Sequence, residues 1–330
     1  MAIVETGSFD VNFRGREAST MFLEPVFFDT DNTNEFRMMG NVSNKKKMGF
    51  IQAMENIVRR YSGCGFNPIG SLDIYDREIE VFHLKADVEL CWDEFEDTVF
   101  EEFLKPGVDI SNLQGTQLEQ FLVLRVRQAI RLDNQRLAYF GNRASVNPNY
   151  DSVNGFWTVY YPNLVAEQLI PRTNTGSGNA ILAGEATAML KAVVDQADIR
   201  LKSMPASMKR INVTGSVWEA YRNDLENNGG GDDGRMMLIN GVETLYFRGL
   251  EVKGLWDWNI YRDETEGTSN NHMIEYSTRL NKVIASDIAT GTPEAQFKTW
   301  YNEEDEKMKT KTIFKFGTSF VHPSLISVGY

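Results

Sequence analysis

The sequence predicts an α+β fold in which an extended arm and a long strand lead into one long helix, followed by a mixed body and a closing strand. Three stretches carry that reading. FHLKADVEL (82–90) alternates apolar and polar residues strictly, as a strand with one buried face does. FLVLRVRQAIRLDNQRLAYFGN (121–142) keeps apolar residues at helical spacing and stops at Gly141-Asn142. KMKTKTIFKFGTSFVHPSLISVGY, at the C-terminal end, alternates again, with Phe314, Phe316 and Phe320 on one parity and Lys307, Lys309, Lys311 and Lys315 on the other.

The totals bound the function. At 330 residues the chain can bury a sizeable core. No apolar run is long enough to span a bilayer, and MAIVETGSFD has neither the basic region nor the apolar core of a secretory signal. Cys64 and Cys91 have no metal-like spacing and read as reduced thiols, which fits a protein made in a reducing cytoplasm. The net charge of −12, from 34 basic and 46 acidic residues, argues against gripping nucleic acid as the main task, because neutralising phosphates needs clustered cations. It does not exclude a place beside packed DNA, which an acidic surface repels rather than traps.

Along the chain, residues 1–30 have mixed polarity and no clean period, and read as an extended arm. Residues 31–86 hold a polar, lysine-bearing loop NVSNKKKMG, a short helix around FIQAMENIVRRY and a turn-rich piece SGCGFNPIGS. In the strand that follows, Phe82, Leu84, Ala86, Val88 and Leu90 form the apolar face. Ile79 and Val81 sit on the opposite parity, which implies either a bulge at Val81-Phe82 or a strand that leaves one packing environment for another.

CWDEFEDTVFEEFLKPG reads as a short acidic helix ended by Pro106-Gly107. The long helix starts near Thr116 and buries Leu118, Leu122, Val126, Ala129, Leu137 and Phe140, and Gly141 is expected to stop it in the left-handed conformation. Its arginines, Arg125, Arg127, Arg131 and Arg136, form no single stripe. They are expected to pair with carboxylates of neighbouring segments or subunits rather than to form a nucleic-acid ridge.

Past residue 150 the pattern becomes α/β. A helix over 185–197 precedes a strand at KRINV, and SVWEAYRNDLENN is a helix whose Ser216 and Glu219 have capping-box spacing. After the loop NNGGGDDG come two strand-like pieces, MMLING and ETLYFRGLEV.

No stretch of the sequence carries a complete catalytic motif. His83, His272 and His322 flank no nucleophile motif. GSGNAILAG (176–184) lacks a glycine at Ile181 that a dinucleotide loop needs, and GGGDDGR lacks the P-loop lysine. DTDNTNEFRMMG (29–40) has Asn34 and Gly40 where a calcium loop requires glycine and glutamate. WDWNIYRDE (256–264) offers one alternative, a glycan-active α/β enzyme with Trp256 and Trp258 as stacking rings beside Asp257, Asp263 and Glu264. No catalytic, cofactor-binding or metal residues are expected.

The order of these elements resembles the major capsid proteins of tailed bacteriophages, the Hong Kong 97-type fold. CGFNPIGSLDIYDREIEVFHLKADVELCWDEFEDTVFEEFLKPG is similar in layout to relatives from phages of the Bacteroides group, and FKFGTSFVHPSL resembles the family's last strand. The resemblance implies an N-terminal arm (1–30), an extended loop (31–86), a peripheral domain with the long spine helix (87–150), a mainly axial domain (151–300) and a closing peripheral strand (301–330). It implies a protein that assembles with itself, through pentamers and hexamers, into an icosahedral shell around double-stranded DNA, without enzymatic activity, cofactor or membrane.

Virions of this kind are assembled in the host bacterial cytoplasm and include a portal. No charged helical segment precedes the arm, so a separate scaffolding protein is expected. An encapsulin-type nanocompartment shell shares the fold and is the nearest alternative. Expected inter-subunit contacts are Lys45, Lys46 and Lys47 in the extended loop, with Glu94 and Glu101 of the acidic helix meeting Lys309 and Lys311 of the closing strand.

Overall fold

A computed structural model describes residues 10–14, 35–51, 60, 74–91, 117–175, 180–227, 234–239, 242–266, 272–287, 296–302, 304 and 307–330. The acidic segment with Glu94 and Glu101 lies outside the described residues, as does most of the short helix expected after Gly49.

The chain begins with strands β1 (Asp10–Arg14), β2 (Arg37–Met39), β3 (Lys45–Ile51), β4 (Ile74–Glu80) and β5 (Phe82–Cys91). Helix α1 (Gln117–Phe140) follows. A π-helical turn (Phe156–Tyr160) runs into α2 (Tyr161–Ala166), then come β6 (Arg172–Thr173), α3 (Glu185–Gln196), α4 (Ile199–Ser203), β7 (Lys209–Thr214) and α5 (Gly215–Asn227). Strands β8 (Gly234–Ile239), β9 (Val242–Phe247) and β10 (Leu250–Leu255) precede α6 (Asp257–Glu266). The chain closes with β11 (Ile274–Thr278), β12 (Lys282–Ser286), β13 (Gln296–Asn302), β14 (Lys307–Phe320) and β15 (Ile326–Gly329).

Two units emerge. The first takes Met1–Asn44, Glu80–Val159 and Ile284–Thr318; the second takes Lys45–Ile79, Tyr160–Val283 and Ser319–Tyr330. The parity switch read at Val81 is a real break: β4 ends at Glu80, β5 starts at Phe82, and β4 pairs with β3 while β5 pairs with β14. The boundary between the units falls beside it.

The first unit is a six-stranded sheet in the order β1-β13-β14-β12-β2, with β5 also on β14, together with α1. In β5, His83, Lys85, Asp87 and Glu89 are exposed, while Phe82, Leu84, Ala86 and Val88 are half-buried, so the expected apolar face is only partly covered in the single chain. Helix α1, 24 residues long and about 36 Å at 1.5 Å per residue, buries Val126, Ile130, Asn134, Leu137, Ala138, Tyr139 and Phe140. Ala129, expected on that face, is exposed and Ile130 takes its place. The side chains of Leu118 and Leu122 lie outside the described set.

Gly141 does not stop α1 by a left-handed turn; among the described residues the glycines with positive φ are Gly184 and Gly249. Glycine is required at 141 because the chain folds back onto the helix end. A Cβ there would collide with the Val153 carbonyl oxygen and come within 2.6 Å of that of Leu137. Gly155 returns the contact: its N–H donates to the Gly141 carbonyl at 2.6 Å, and its own Cβ would meet the Tyr139 carbonyl at 2.6 Å. Phe36, Tyr139 and Phe156 close this corner, with ring centroids 5.2–6.1 Å apart.

The second unit is built on a seven-stranded mixed sheet, β6-β15-β11-β7-β10-β9-β8. α3 and α5 pack on it through Leu190, Val193, Val217 and Tyr221 against Ile211, Val213, Phe247 and Tyr276. The first residue before α3 is Gly184, which has no side chain to cap the helix. Buried Asp224 of α5 supplies the cap instead, accepting from Gly184 N (2.6 Å), Thr187 N (3.2 Å) and Thr187 Oγ1 (3.0 Å).

Four sequence expectations are corrected in this unit. Ser216 lies inside α5 rather than before it; its hydroxyl sits 3.0 Å from His272 Nδ1 and 3.2 Å from Thr214 Oγ1. ETLYFRGLEV is two strands, because Arg248 and Gly249 take φ of 49° and 76° and form the two-residue turn that left-handed conformations allow. Lys45, Lys46 and Lys47 are exposed residues of β3 rather than a loop, and Phe50 and Ile51 continue that strand instead of opening a helix.

Candidate assembly surfaces

Pleating sorts β14 by parity. Thr310, Thr312 and Phe314 are buried, while Lys307, Lys309 and Lys311 are half-exposed on the other side. The antiparallel register with β5 sets Lys309 opposite Glu89 and Lys311 opposite Asp87. Lys307 Nζ lies 3.3 Å from Glu89 Oε2, and Lys309 Nζ lies 3.6 Å from Oε1 of the same carboxylate. On the other flank, β13 sets Trp300 opposite Lys309 and Lys298 opposite Lys311. The Lys298 ammonium stands 5.2 Å from the Trp300 ring centroid.

Lysines outnumber carboxylates on this face, in a chain that is strongly acidic as a whole. Exposed pairs of this kind contribute at most about 1 kcal/mol each, so the face leaves its charge available to steer a partner. Lys309 and Lys311 are thus brought together, with Glu89 and Asp87 as neighbours that the sequence reading missed. The signal was present: acids of β5 share one parity, as the lysines of β14 do. Lys45, Lys46 and Lys47 belong to the other unit.

Helix α1 offers a second surface. Leu124 and Leu132 are 54 % and 43 % exposed and, with exposed Gln128 between them, follow one another at four-residue spacing. Among the arginines, Arg136 pairs with Asp133 of its own helix at 3.0 Å and stands over Tyr150 at 5.4 Å. Burial raises the Asp133 pKa, and Arg136 opposes that shift; burial lowers the pKa of Arg127.

The tryptophans of WDWNIYRDE do not form a stacking pair. The segment is helix α6 rather than a strand; Trp256 is 53 % exposed and Trp258 only 2 %. Trp256 packs edge-on against Trp218 at 5.9 Å and covers Gly215, where a Cβ would clash with its ring.

At the base of the second unit, Glu275 accepts from Tyr161 Oη at 2.8 Å and from Lys282 Nζ at 2.9 and 3.1 Å. Burial, then the Glu275 carboxylate, holds the Tyr161 pKa well above its usual value. No group of His, Cys, Asp and Glu able to hold a metal occurs among the described residues, and no described helix is long and apolar enough to cross a membrane.

No protein-family model matches the sequence, and no curated protein matches it either. Solved structures do match in shape. A chain of the satellite phage P4 procapsid including size determination (Sid) protein aligns with a TM-score of 0.58 at 8% identity, covering 93% of this chain and 96% of that one. The capsids of the native and the empty GTA particle align at TM-scores of 0.52 and 0.53. Each is 12% identical and covers 89% and 90% of this chain, respectively, and 87% and 89% of the matched chains. An α+β chain that follows capsid proteins over nine-tenths of its length, with one long helix beside a sheet and a second sheeted unit, has the Hong Kong 97-type capsid fold.

Proposed function

We propose that this chain is the major capsid protein of a tailed bacteriophage, one of a group that includes relatives from Bacteroides phages. It assembles with itself through pentamers and hexamers into an icosahedral shell around double-stranded DNA. The observation that carries the reading is the likeness to a procapsid chain over 93% of this chain. The net charge of −12 supports it, since a container must not bind its contents tightly. Assembly takes place in the host bacterial cytoplasm, with a separate scaffolding protein and a portal.

In this reading residues 1–30 are the arm, and 31–86 the extended loop, whose β3–β4 ribbon reaches a neighbour. Residues 87–150 form the peripheral domain around α1, 151–300 mainly the axial domain, and 301–330 the closing strand. The subunit has no catalytic task. The half-covered apolar face of β5 and the exposed leucines of α1 are what a subunit designed for neighbours leaves open.

The test is negative-stain electron microscopy with native mass of the protein expressed alone and with a candidate scaffolding protein. Closed shells, rings or sheets of uniform subunits are expected. A clean monomer in both conditions overturns the reading; closed shells filled with a co-purified protein and no DNA replace it with a nanocompartment.

A further inference from the structure

His322 holds together four pieces of the second unit. Its backbone N–H donates to Asn281 Oδ1 at 2.8 Å, at the turn joining β11 and β12. Its Nδ1 accepts from Ser324 N at 3.2 Å, capping the short 3-10 turn Pro323–Leu325 before β15. Its ring is gripped from both strands of the β3–β4 ribbon: Phe50 lies 4.9 Å away, tilted, and Tyr75 lies 5.1 Å away, edge-on. The residue is buried.

This arrangement uses the neutral ring. An imidazole whose Nδ1 accepts a backbone N–H must carry its proton on Nε2. A second proton would go onto Nδ1, remove the acceptor and set N–H against N–H. The charged groups around it are those of α4, Arg200 and Asp198, with the Tyr75 phenol from β4. Burial first, then Arg200, push the His322 pKa below its ordinary value, and Asp198 opposes them.

We propose that His322 is a proton-operated clasp, which ties the β3–β4 ribbon to the rest of the second unit when neutral and loosens it when protonated. The sign follows from the depressed folded-state pKa. The clasp's contribution is full above the ordinary histidine value of about 6.5 and is lost as pH falls below it, through the lower folded-state value. The proposal concerns the single chain and does not depend on the shell reading.

Hydrogen exchange with mass spectrometry on the full chain tests it, comparing amide protection over 45–51 and 74–80 between about pH 7.5 and pH 5 after correction for intrinsic rates. Protection is expected to fall on acidification, at most about tenfold per pH unit, the limit for one proton. His322→Asn, which keeps an acceptor for Ser324 N but cannot titrate, is expected to remove the pH dependence. Unchanged protection in the natural protein, or the same pH dependence in the variant, overturns the proposal. If the variant does not fold, NMR titration of the three histidines decides: a His322 resonance that titrates at or above about 6.5 also overturns it.

Discussion

Lys282 and Glu275 form a buried ion pair: Nζ lies 2.9 Å from Oε1, and the side chains are 2 % and 0 % exposed. Two desolvated charges gain little over an apolar pair of the same size, but each is indispensable to the other. Glu275→Gln or Lys282→Met is expected to cost about 3–5 kcal/mol, because each leaves the other partner as an uncompensated buried charge. The triple change Tyr161→Phe, Glu275→Leu, Lys282→Met should recover most of that loss. Urea denaturation of the unassembled chain measures both, and a triple variant no better than the singles would show that the charges themselves are needed.

Two glycine contacts give a second prediction. A Cβ at Gly155 would meet backbone atoms of Tyr139 and Gly141, and one at Gly317 would meet the Glu80 carbonyl and lie 3.0 Å from Val81 Cα. Backbone cannot yield as a side-chain tip can, so Gly155→Ala and Gly317→Ala should each destabilise by about 1–3 kcal/mol or more. Alanine at Gly184 or Gly249 meets no atom and carries only the cost of positive φ, about 1 kcal/mol. Thermal denaturation of the four variants should rank them in that order.

If the proposed shell reading holds, the two faces of helix α1 should separate folding from assembly. Val126 is buried, and Val126→Asp should prevent folding by placing a charge inside. Leu124→Asp and Leu132→Asp, on the exposed side, should leave the circular dichroism and melting of the monomer within about 0.5 kcal/mol of the natural chain. They should nonetheless stop shells from forming. Shells of normal size from both exposed-face variants would remove α1 from the assembly contacts.

The lysine face of β14 should act on rate. Assembly followed by light scattering is expected to slow as salt rises from about 0.05 M to about 0.5 M, as the screening length contracts. Lys309→Glu with Lys311→Glu should slow assembly at low salt with little change in monomer stability, since exposed pairs contribute about 1 kcal/mol or less. A rate indifferent to salt would exclude steering by this face.

Periodicity made much of this fold legible. The limits of α1 are visible in its apolar spacing, and the alternation of β5 and β14 gives both strands and their outward residues as far as Lys311; Lys315, on the same parity, is instead buried and donates to the Ser43 carbonyl at 2.9 Å. Steric and long-range terms stayed hidden. The need for glycine at 141 depends on where Val153 returns, and Glu275 and Lys282 look like ordinary polar positions until two strands and Tyr161 enclose them. Trp256 and Trp258 suit a strand or a helix, and only burial of one ring and exposure of the other separates the two. Among the candidate contacts, the parity of the lysines located the β14 face. Its in-chain partners Glu89 and Asp87 required the register, and the ring contacts of His322 required the β3–β4 ribbon to be in place.

The single residue between β4 and β5 has a consequence for how such a chain can change length. Because Val81 alone joins them, the phase of one strand fixes the phase of the other. A one-residue deletion or insertion there would turn every side chain of one strand to the wrong side of its sheet. Tags or epitopes therefore do not belong at Val81, and that junction should be left at its natural length.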